Sequence, residues 1–560
     1  MKKVNILCIL GLWSIIGIPS ILAQTLAFPE ATGFGRFSEG GRGGEVIFVT
    51  NLDDNGPGSL REACEADGPR TIIFKVGGTI SLNSTIEIQN PFITIAGQTA
   101  PGGGICLRMA TENNFGHLQA TLAILADHVI IRGIRFRAGP SLSPPEIEVF
   151  DCLDIWDGEN IIIDHCSFTW GEDENIAIWS SYPNETPQKI TIQKSIIGQG
   201  LMKLSDGELT RGFGLLVGGT IGADQLSIID NLFIHNLQRN PLLKTEQTVV
   251  NEMYNNIIYN YGFFGTDLSD DVNLNLVGNM FIPGVNTSTN RYEVLIQQEA
   301  LLYVESNIGP NRMDDSALEW DIVGFNGTIP PDGYAESPAP LSFQSETPFT
   351  EIPQNLLSAD EAYAELIATM DIGASYKLSE TGDGTFVTNS DEIDLGLIED
   401  LINKTGSSIF DFDIGSTVQY PELATGIAPS DSDEDGMPDM WENSCGLDIN
   451  DPSDRNIIAS NNYTNLENYL NGVSCNVTNT EEILDMKISF SPNPTNGIIK
   501  LSGEFDGEHD LKIYDVNGKL ILMRKIRNAD QMLDLSELAE GSYFISIDGI
   551  KESMKLMIQK

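Results

Sequence analysis

Two short stretches of the chain concentrate side chains that could do chemistry. The stretch "DHCSFTWGEDENIAIW" (164–179) places several carboxylates on what otherwise reads as an apolar, β-branched strand. The stretch "HNLQRNPLLK" (235–244) places Arg239 and Lys244 on either side of a proline. Grouped carboxylates suit a hard divalent cation such as calcium, and grouped cations stabilise negative charge that develops during a reaction. We therefore expect the two stretches to face each other and to act on an anionic substrate.

The composition limits the partners of such a site. The chain has 560 residues, with 80 acidic against 32 basic ones and a formal net charge of -48. This balance makes nucleic acid or an anionic membrane a poor partner. If the partner is itself a polyanion, a divalent cation is the simplest bridge. The length predicts roughly three or four domains, and 41% hydrophobic residues suffice for a large core.

The start of the chain predicts export. Residues 1–23 have a short basic end, an apolar run and a small final residue, as in a secretory signal peptide. No later run reaches the ~20 apolar residues that spanning a membrane needs. Disulfides are therefore possible, and Cys445 and Cys475 are the best candidate pair. Cys152 and Cys166 are expected to be buried core thiols.

A repeating pattern predicts the elements that carry the two stretches. From about 120 to 310 the chain repeats alternating apolar residues, a small polar residue and a further apolar pair. Four of the polar members, spaced by 25, 23 and 28 residues, are Asn231, Asn256, Asn279 and Asn307. Such periods indicate a solenoid, and short β-branched strands without intervening amphipathic helices favour a parallel β-helix with stacked asparagines. Separate short strands of a sandwich would not explain this spacing.

The remaining segments predict modules around the solenoid. "SLREACE" is expected to form a short helix that caps its open end. Residues 311–428 contain one predicted helix, "SADEAYAELIATM", and are expected to pack along the solenoid. Residues 429–476 form a calcium-loop module, and residues 486–560 form a β-sandwich with an Asn-Gly hairpin. The predicted fold class is therefore all-β, a single-stranded parallel β-helix followed by two small modules.

Several motifs in order identify a family resemblance. "FGRFSEGGRGGEVIFVTNL", "GPGSLREA", "ITIAGQTAPGGGICL", "IIIDHCSF" and "QRNPLLK" resemble the pectate lyase superfamily. The resemblance covers residues 24–310, and it implies a right-handed parallel β-helix that cleaves polygalacturonate by calcium-assisted β-elimination. In that reaction a proton α to a uronate carboxylate is removed, and a calcium ion stabilises the charge that develops on the carboxylate.

The resemblance assigns calcium ligands to the acidic stretch. Asp151 matches the calcium aspartate thirteen residues before the "DH" pair, and Asp173 and Glu174 match further calcium carboxylates. The spacing there departs from the usual one, so that Glu172 or Asn175 could replace either.

Two further positions bear on the metal site. Some relatives carry a second aspartate two residues before Asp151, where this chain has Val149, which leaves the number of calcium ions open. Asp164 and His165, the "DH" pair, are interpreted either as structural or as residues that support the metal ligands from behind.

The resemblance also assigns the cations. Arg239 matches the catalytic base, and Lys244 takes the place of a cation that binds a substrate carboxylate. A further family lysine matches either Lys203 or Arg211, depending on the coil from which it is counted. We favour Lys203 as catalytic and assign Arg211 to substrate binding. Because a guanidinium hardly deprotonates in proteins, either the cleft lowers the pKa of Arg239 or this residue acts as an electrostatic clamp. Activity that rises into alkaline pH is expected.

A second acidic motif lies in the tail. "DSDEDGMPDMWE" satisfies the D-x-D-x-D-G-x5-E calcium loop, with ligand positions at Asp431, Asp433, Asp435, Asp439 and Glu442. Pro438 favours a solitary loop over a paired EF-hand. Its calcium is expected to be structural.

The last segment carries a second resemblance. Residues 486–560, with "ISFSPNPTNGIIKLSG" and "LKIYDVNGKLI", resemble the C-terminal sorting domain of the Bacteroidetes outer-membrane secretion route. That resemblance implies the outer-membrane secretion machinery as a partner. A carbohydrate-binding sandwich is the alternative, but the segment contains no tryptophan.

The combined prediction is a secreted, calcium-dependent pectate lyase. Its expected substrate is an acidic plant polysaccharide, polygalacturonate or pectin, and it is expected to be a monomer. The alternatives are a β-helical polygalacturonase that uses paired carboxylates, and a non-catalytic β-helix that binds polysaccharide.

Overall fold

The computed structural model describes residues 24–110, 120–139, 150–180, 187–205, 208–219, 222–289, 291–314, 316–326, 336–410, 413–414, 418–473, 489–493, 495–502, 506–515, 520–528, 532–536, 538–539, 541–547 and 554–560. The predicted signal peptide, residues 1–23, lies outside these residues. Within the described ranges, no helix has the length and apolarity that a membrane crossing requires.

The solenoid consists of three stacks of short parallel strands, and each coil contributes one strand to a stack. The first stack contains Glu45–Val49, Arg70–Phe74, Ile93–Ala96, Val129–Arg132, Glu159–Asp164, Gln188–Gln193, Asp224–Ile229, the end of Leu242–Tyr254, the end of Thr266–Val277, and Ala300–Glu305. The second stack contains Ile86–Ile88, Ala120–Leu125, Asp151–Asp157, Glu174–Ser180, Phe213–Gly219, the beginning of Leu242–Tyr254, the beginning of Thr266–Val277, Val294–Ile296 and Val323–Phe325. The third stack contains Gly78–Leu82, Ile105–Met109, Ile134–Arg137, Ser167–Thr169, Ile196–Gly198, Leu232–Ile234, Ile257–Tyr259 and Met280–Ile282. This architecture confirms the predicted fold class.

Columns of like residues fill the interior of the solenoid. Because the register is parallel, an inward position of one coil lies over the same position of the next coil. One column in the first stack is therefore aliphatic along its length: Ile95, Ile131, Ile163, Ile192, Ile228, Met253, Leu276 and Val304. All of these side chains are buried. Burial of such apolar surface is the main stabilising contribution to a solenoid core.

The predicted asparagine ladder is confirmed at the corner between the first and third stacks. The backbone N–H of Asn231 donates to Oδ1 of Asn256 at 3.0 Å, and Asn256 and Asn279 repeat this bond to the next coil at 3.0 and 2.9 Å. Each side-chain amide also donates to a carbonyl on the first-stack strand of the preceding coil, as Asn256 does to Ile228 at 2.7 Å. Buried polar groups at this tight corner are thus satisfied coil by coil.

The two ends of the solenoid differ from one another. Helix α1 (Leu60–Glu65), the predicted "SLREACE" helix, begins at Ser59, whose side chain accepts from the backbone of Glu62. Its residues Leu60 and Cys64 are buried against the core of the first coils. At the other end the parallel stack continues past residue 310, since Val323–Phe325 pairs with Val294–Ile296.

The extension packs two helices on the third stack, whereas the sequence indicated one. Helix α2 (Ala359–Thr369) is the predicted helix, and α3 (Glu392–Asn403) is additional. Both contribute to one apolar cluster with the solenoid. Asp391 and Asp394 at the start of α3 pair with the buried Arg137 at 2.8 and 2.9 Å. The acids of α3 thereby neutralise an arginine that the solenoid buries. Short strands Ser337–Pro338, Tyr376–Leu378 and Phe386–Thr388 complete the extension.

Two small modules end the chain. Helices α4 (Asp439–Cys445) and α5 (Asn465–Leu470) belong to the first module, which packs Met437, Trp441 and Tyr469 against Ile73 of an early coil. The second module has two antiparallel sheets around a common core, as predicted for a β-sandwich. Its strands are Ser489–Ser491, Ile498–Ser502, Asp506–Asp515, Leu520–Asn528, Met532–Asp534, Gly541–Ile547 and Met554–Ile558.

The cysteines agree with their sequence interpretation where the structure describes them. Cys152 and Cys166 are free and buried in the core, and so are Cys64 and Cys106. Cys445 is disulfide-bonded. Its predicted partner, Cys475, lies outside the described residues.

Candidate active site

The register of the second stack brings the acidic and basic stretches together. Leu153 pairs with Ile176, so that Asp151 and Glu174 begin adjacent strands. Glu174 pairs in turn with Phe213, and Phe213 is bridged to Gln238, the neighbour of Arg239. Four successive coils thus place residues that are far apart in sequence along one edge of the solenoid.

The acidic group forms at this edge. Asp151, Asp173 and Glu174 each offer a carboxylate oxygen, and these oxygens lie within 4.8 Å of one another. The backbone N–H of Glu174 donates to Oδ1 of Asp151 at 2.7 Å, which fixes the two coils relative to each other. Burial and the carboxylates of Asp154 and Asp173 raise the pKa of Asp151 well above its usual value. Such crowded carboxylates fit a divalent cation, which would remove their mutual repulsion.

Asp154 lies beside Asp151 without being one of the three converging carboxylates, and it was not recognised from the sequence. It is buried, its carboxylate accepts from Nε1 of Trp156 at 3.2 Å, and its pKa is raised by burial to about 6. Its Oδ1 is buried and accepts no hydrogen bond from the described residues. An orphaned carboxylate oxygen beside Asp151 is available to a metal. The sequence contains no signal for it, because residues three apart on a regular strand point to opposite faces.

Arg239 lies against the acidic group. Its guanidinium forms an ion pair with Glu174 and stacks 3.7 Å from the ring centroid of Phe213. Its own carbonyl accepts from the backbone N–H of Leu215 at 2.7 Å, and its φ is +63°. A Cβ at Gly214 would lie 2.4 Å from that carbonyl, so the close approach requires glycine there. Burial lowers the pKa of Arg239, although the nearby aspartates oppose this shift.

Two further predicted cations contact the acidic stretch from a hairpin formed by Met202–Ser205 and Glu208–Arg211. Nζ of Lys203 lies 2.8 Å from Glu172, and Arg211 lies 2.6 Å from Asp173. Oε1 of Glu172 pairs with Lys203, and Glu172 is not one of the three converging carboxylates. Lys203 and Arg211 both line the site, and their contacts do not distinguish the two assignments.

The remaining predicted residues lie at different depths. Lys244 is exposed on the strand that follows Arg239, paired with Ser269 of the next coil. Asn175, an alternative metal ligand from the sequence, is fully buried, and its amide donates to Gly198 and to Asn236 at 3.0 and 3.2 Å. It holds the coils beneath the site and does not reach the metal position.

The "DH" pair lies on the first stack and has structural contacts. Asp164 is buried and accepts from Arg132 at 2.9 Å and from Gln193 at 2.7 Å. His165 lies between Asp164 and Asp371, at 2.9 and 3.2 Å. These contacts join the extension to the solenoid.

The calcium-loop module contains the second acidic group of the described chain. Asp431, Asp433 and Asp435 converge, and Asp435, Glu442 and Asp454 converge beside them, each set within 4.8 Å. Six buried carboxylate oxygens have no hydrogen-bond partner among the described residues: both of Asp433, both of Glu442, and one each of Asp435 and Asp454. Burial raises the pKa of Asp435 to about 7 and that of Glu442 to about 8. The residues present fit a calcium ion.

Two residues of this module depart from the sequence pattern. Asp439, the ninth position of the loop, is outside both converging sets. Its carboxylate instead accepts from Ser430 and Ser432 at 2.7–2.8 Å and so holds the loop from outside. Asp454, from the downstream "NDPSD" segment, supplies the further carboxylate. The motif could not indicate it because Asp454 reaches the site by folding back of the chain.

The chain is similar in sequence to named fungal proteins. Relatives named "Probable pectate lyase C" from Aspergillus flavus and Aspergillus oryzae are each 34% identical over 473 residues, covering 82% of this chain and 97% of theirs. Among solved structures, jun a 1, the major allergen from cedar pollen, is 17% identical with a TM-score of 0.39, covering 61% of this chain and 92% of that one.

The fold and the facing acidic and basic groups are those of a parallel β-helix polysaccharide lyase. On the strength of the fungal relatives, the chain belongs to the pectate lyase family. Residues 489–559 match the family model described as a secretion system C-terminal sorting domain, which confirms the second resemblance and makes the protein a secreted one.

Proposed function

We propose that the protein cleaves polygalacturonate by calcium-assisted β-elimination outside the cell. The observation that carries the proposal is the contact of Arg239 with Glu174, at the rim of the group formed by Asp151 and Asp173. A metal-binding acidic group and a candidate base thus share one edge of the solenoid. This is the arrangement that abstraction of a proton next to a carboxylate needs.

The metal site has four candidate ligands. Asp151, Asp173 and Glu174, the three converging carboxylates, were expected from the sequence. We propose Asp154 as a fourth ligand, because its carboxylate lies beside Asp151 and its Oδ1 has no hydrogen-bond partner among the described residues. A calcium ion bound there would hold the uronate carboxylate and stabilise the negative charge that develops on it. It would also bridge an acidic protein to an acidic polymer.

Arg239 is proposed to remove the proton at the carbon next to the carboxylate. The electron pair left behind forms a carbon–carbon double bond as the glycosidic C–O bond at the neighbouring carbon breaks, and the departing oxygen takes up a proton from solvent water to become the hydroxyl of the released chain end. Burial beside Phe213 lowers the pKa of the guanidinium, which is the direction that a base requires. We propose that Lys203 assists catalysis and that Arg211 binds a substrate carboxylate; the two side chains pair with Glu172 and Asp173 at the rim of the site.

The second calcium is proposed to be structural. Asp431, Asp433, Asp435, Glu442 and Asp454 would hold it in the module that packs on the early coils. The sorting domain is proposed to address the protein to the secretion machinery.

One assay tests the reaction. The full-length mature protein is incubated with polygalacturonate and calcium, and the absorbance of an unsaturated uronide is followed. A lyase produces this signal, whereas a hydrolase produces reducing ends without it and a binding protein produces neither. Arg239→Ala should abolish the signal, and circular dichroism should show that the variant is folded. Reducing ends without the absorbance would refute the elimination and favour a hydrolase.

A further inference from the structure

A row of residues crosses the second stack several residues beyond the candidate active site, in the direction of the chain along each strand. Trp179 pairs with Gly218, and Lys244 lies beside Gly218 because Leu243 pairs with Val217. Lys244 pairs in turn with Ser269. Trp156 begins this row on the preceding coil, because Ile155 pairs with Ile178, the residue before Trp179. We call Trp156, Trp179, Gly218 and Lys244 the tryptophan row.

The row faces outward, on the same side as the site. Along these strands the alternate residues Ile155, Ile178 and Val217 point into the core, so their neighbours in the row point out. Trp179 is 38% exposed, which is unusual for so large an apolar side chain on this stack. Trp156 is fixed by its hydrogen bond to Asp154, which lies beside the acidic group. The row and the site are therefore parts of one continuous surface.

Gly218 allows the indole of Trp179 to lie against the next coil. A Cβ at Gly218 would come within 2.8 Å of Cζ3 and 3.0 Å of Cε3 of that ring. The φ of Gly218 is not positive, so a side chain at this position would not strain the backbone. It would instead collide with the indole ring of Trp179. The absence of a side chain at Gly218 lets the indole ring reach over the coil that separates Trp179 from the strand of Lys244.

We propose that the tryptophan row is a distal sugar subsite, in which one galacturonate unit stacks its ring on Trp179 and a neighbouring unit pairs its carboxylate with Lys244. A pyranose presents C–H bonds on its face, and such polarised C–H groups fit the negative face of an aromatic ring. A uronate adds a negative charge, which matches the cation in the row. Adjacent strands lie about 4.8 Å apart, which places Trp179 and Lys244 roughly 10 Å from each other.

The distance to the site sets which substrates use the row. Glu174 and Trp179 are five residues apart on one strand, which corresponds to about 16 Å. A short oligosaccharide centred on Arg239 would not extend that far, whereas a polymer would. The proposal rests on the proposed function, because it assumes that polygalacturonate is the substrate.

The test compares substrate lengths. For Trp179→Ala we expect KM on polygalacturonate to rise about fivefold, because the variant loses one aromatic contact with the polymer. We expect kcat to stay within about twofold. On trigalacturonate both constants should match the unaltered protein. Trp179→Phe should restore most of the affinity, and Gly218→Ala, which displaces the indole without removing it, should resemble Trp179→Ala. Leu301→Ala is the matched control, because Leu301 is 42% exposed on the first stack.

A second readout keeps this proposal separate from the proposed reaction. Retardation in a native gel that contains polygalacturonate measures binding without turnover, and Trp179→Ala should reduce it. An unaltered protein that is active, combined with a Trp179→Ala variant of unchanged KM and unchanged retardation, would overturn the subsite and leave the lyase function intact. Absence of the unsaturated product from the unaltered protein would instead overturn the lyase function, and the gel would still decide whether Trp179 binds the polymer.

Discussion

Replacing Asp454 by asparagine should change stability in opposite directions with and without calcium. The substitution conserves size and removes one of the five carboxylates that converge in the calcium-loop module. Asp454 is buried, and its Oδ1 accepts no hydrogen bond from the described residues. With calcium the variant lacks a charged ligand. Without calcium it lacks a charge that repels Asp435 and Glu442.

The two effects can be estimated from the geometry. Two unit charges separated by the 4.8 Å within which these oxygens lie repel each other by about 3.5 kcal/mol at an effective dielectric constant of 20. Solvent reduces this repulsion, so we expect Asp454→Asn to stabilise the calcium-free protein by about 1 kcal/mol. If the loss of the ligand lowers calcium affinity by a factor of about 10 to 100, the calcium-saturated protein loses about 1.4 to 2.7 kcal/mol.

Thermal unfolding, followed by calorimetry in excess calcium and in excess chelator, measures both effects. Asp439→Asn is the matched control, because Asp439 occupies a motif position but contacts Ser430 and Ser432 outside the converging carboxylates. It should shift the unfolding temperature by the same amount in both conditions. A shift of equal sign for Asp454→Asn in both conditions would refute the assignment of Asp454 as a ligand. A calcium-dependent shift for Asp439→Asn would show that the sequence motif, and not the folded geometry, describes the site.

Three further predictions address the site and the coil. Arg239→Lys keeps the positive charge but not the planar guanidinium, so kcat should fall at least about 100-fold while the unfolding temperature is unchanged. Asn256→Ala removes four hydrogen bonds of the Asn256 side chain from the ladder and should cost about 2 to 4 kcal/mol in urea unfolding, whereas the exposed Asn55→Ala should cost less than about 0.5 kcal/mol. Burial lowers the pKa of His165, but Asp164 and Asp371 outweigh it and raise the pKa above 6.5. Its stabilising effect relative to His165→Gln is therefore complete below pH 6.5 and should disappear as pH rises through the raised value, which unfolding measured between pH 5 and 9 can follow.

The sequence predicts what repeats from coil to coil. Asn231, Asn256 and Asn279 carry out the same task in each coil, and their spacing is the coil length, so the ladder was visible in the sequence. Arg239 and Glu174 could be paired only through a family resemblance. The coils between these two residues differ in length. The number of residues in a loop does not indicate which residues of the flanking strands lie next to each other.

The missed residues depend on the folded geometry. Asp454 joins the calcium loop because the chain folds back. The carboxylate of Asp154 comes close to that of Asp151, although a regular strand would point residues three apart to opposite faces. Helix α3 had a readable signal, with Asp391 before an apolar pattern at Leu397 and Leu401, but the glycine within it weakens that signal. What decides its position is Arg137, a buried cation that needs the acids at the start of α3.

The placement of charge explains how so acidic a protein can approach a polyanion. At physiological ionic strength charges more than about 8 Å apart are largely screened, so the net charge of -48 acts weakly on a polymer that has reached the surface. The local charges decide binding. At the second stack the acids face Arg239, Lys203 and Arg211, and each ion pair there removes a negative charge from the surface that the substrate meets. A carboxylate without a neighbouring positive charge would repel the polymer. Carboxylates that pair with cationic side chains and also bind a metal ion can attract it. The acidic group therefore works only as one half of a mixed site, which is why the solenoid brings both stretches to the same edge.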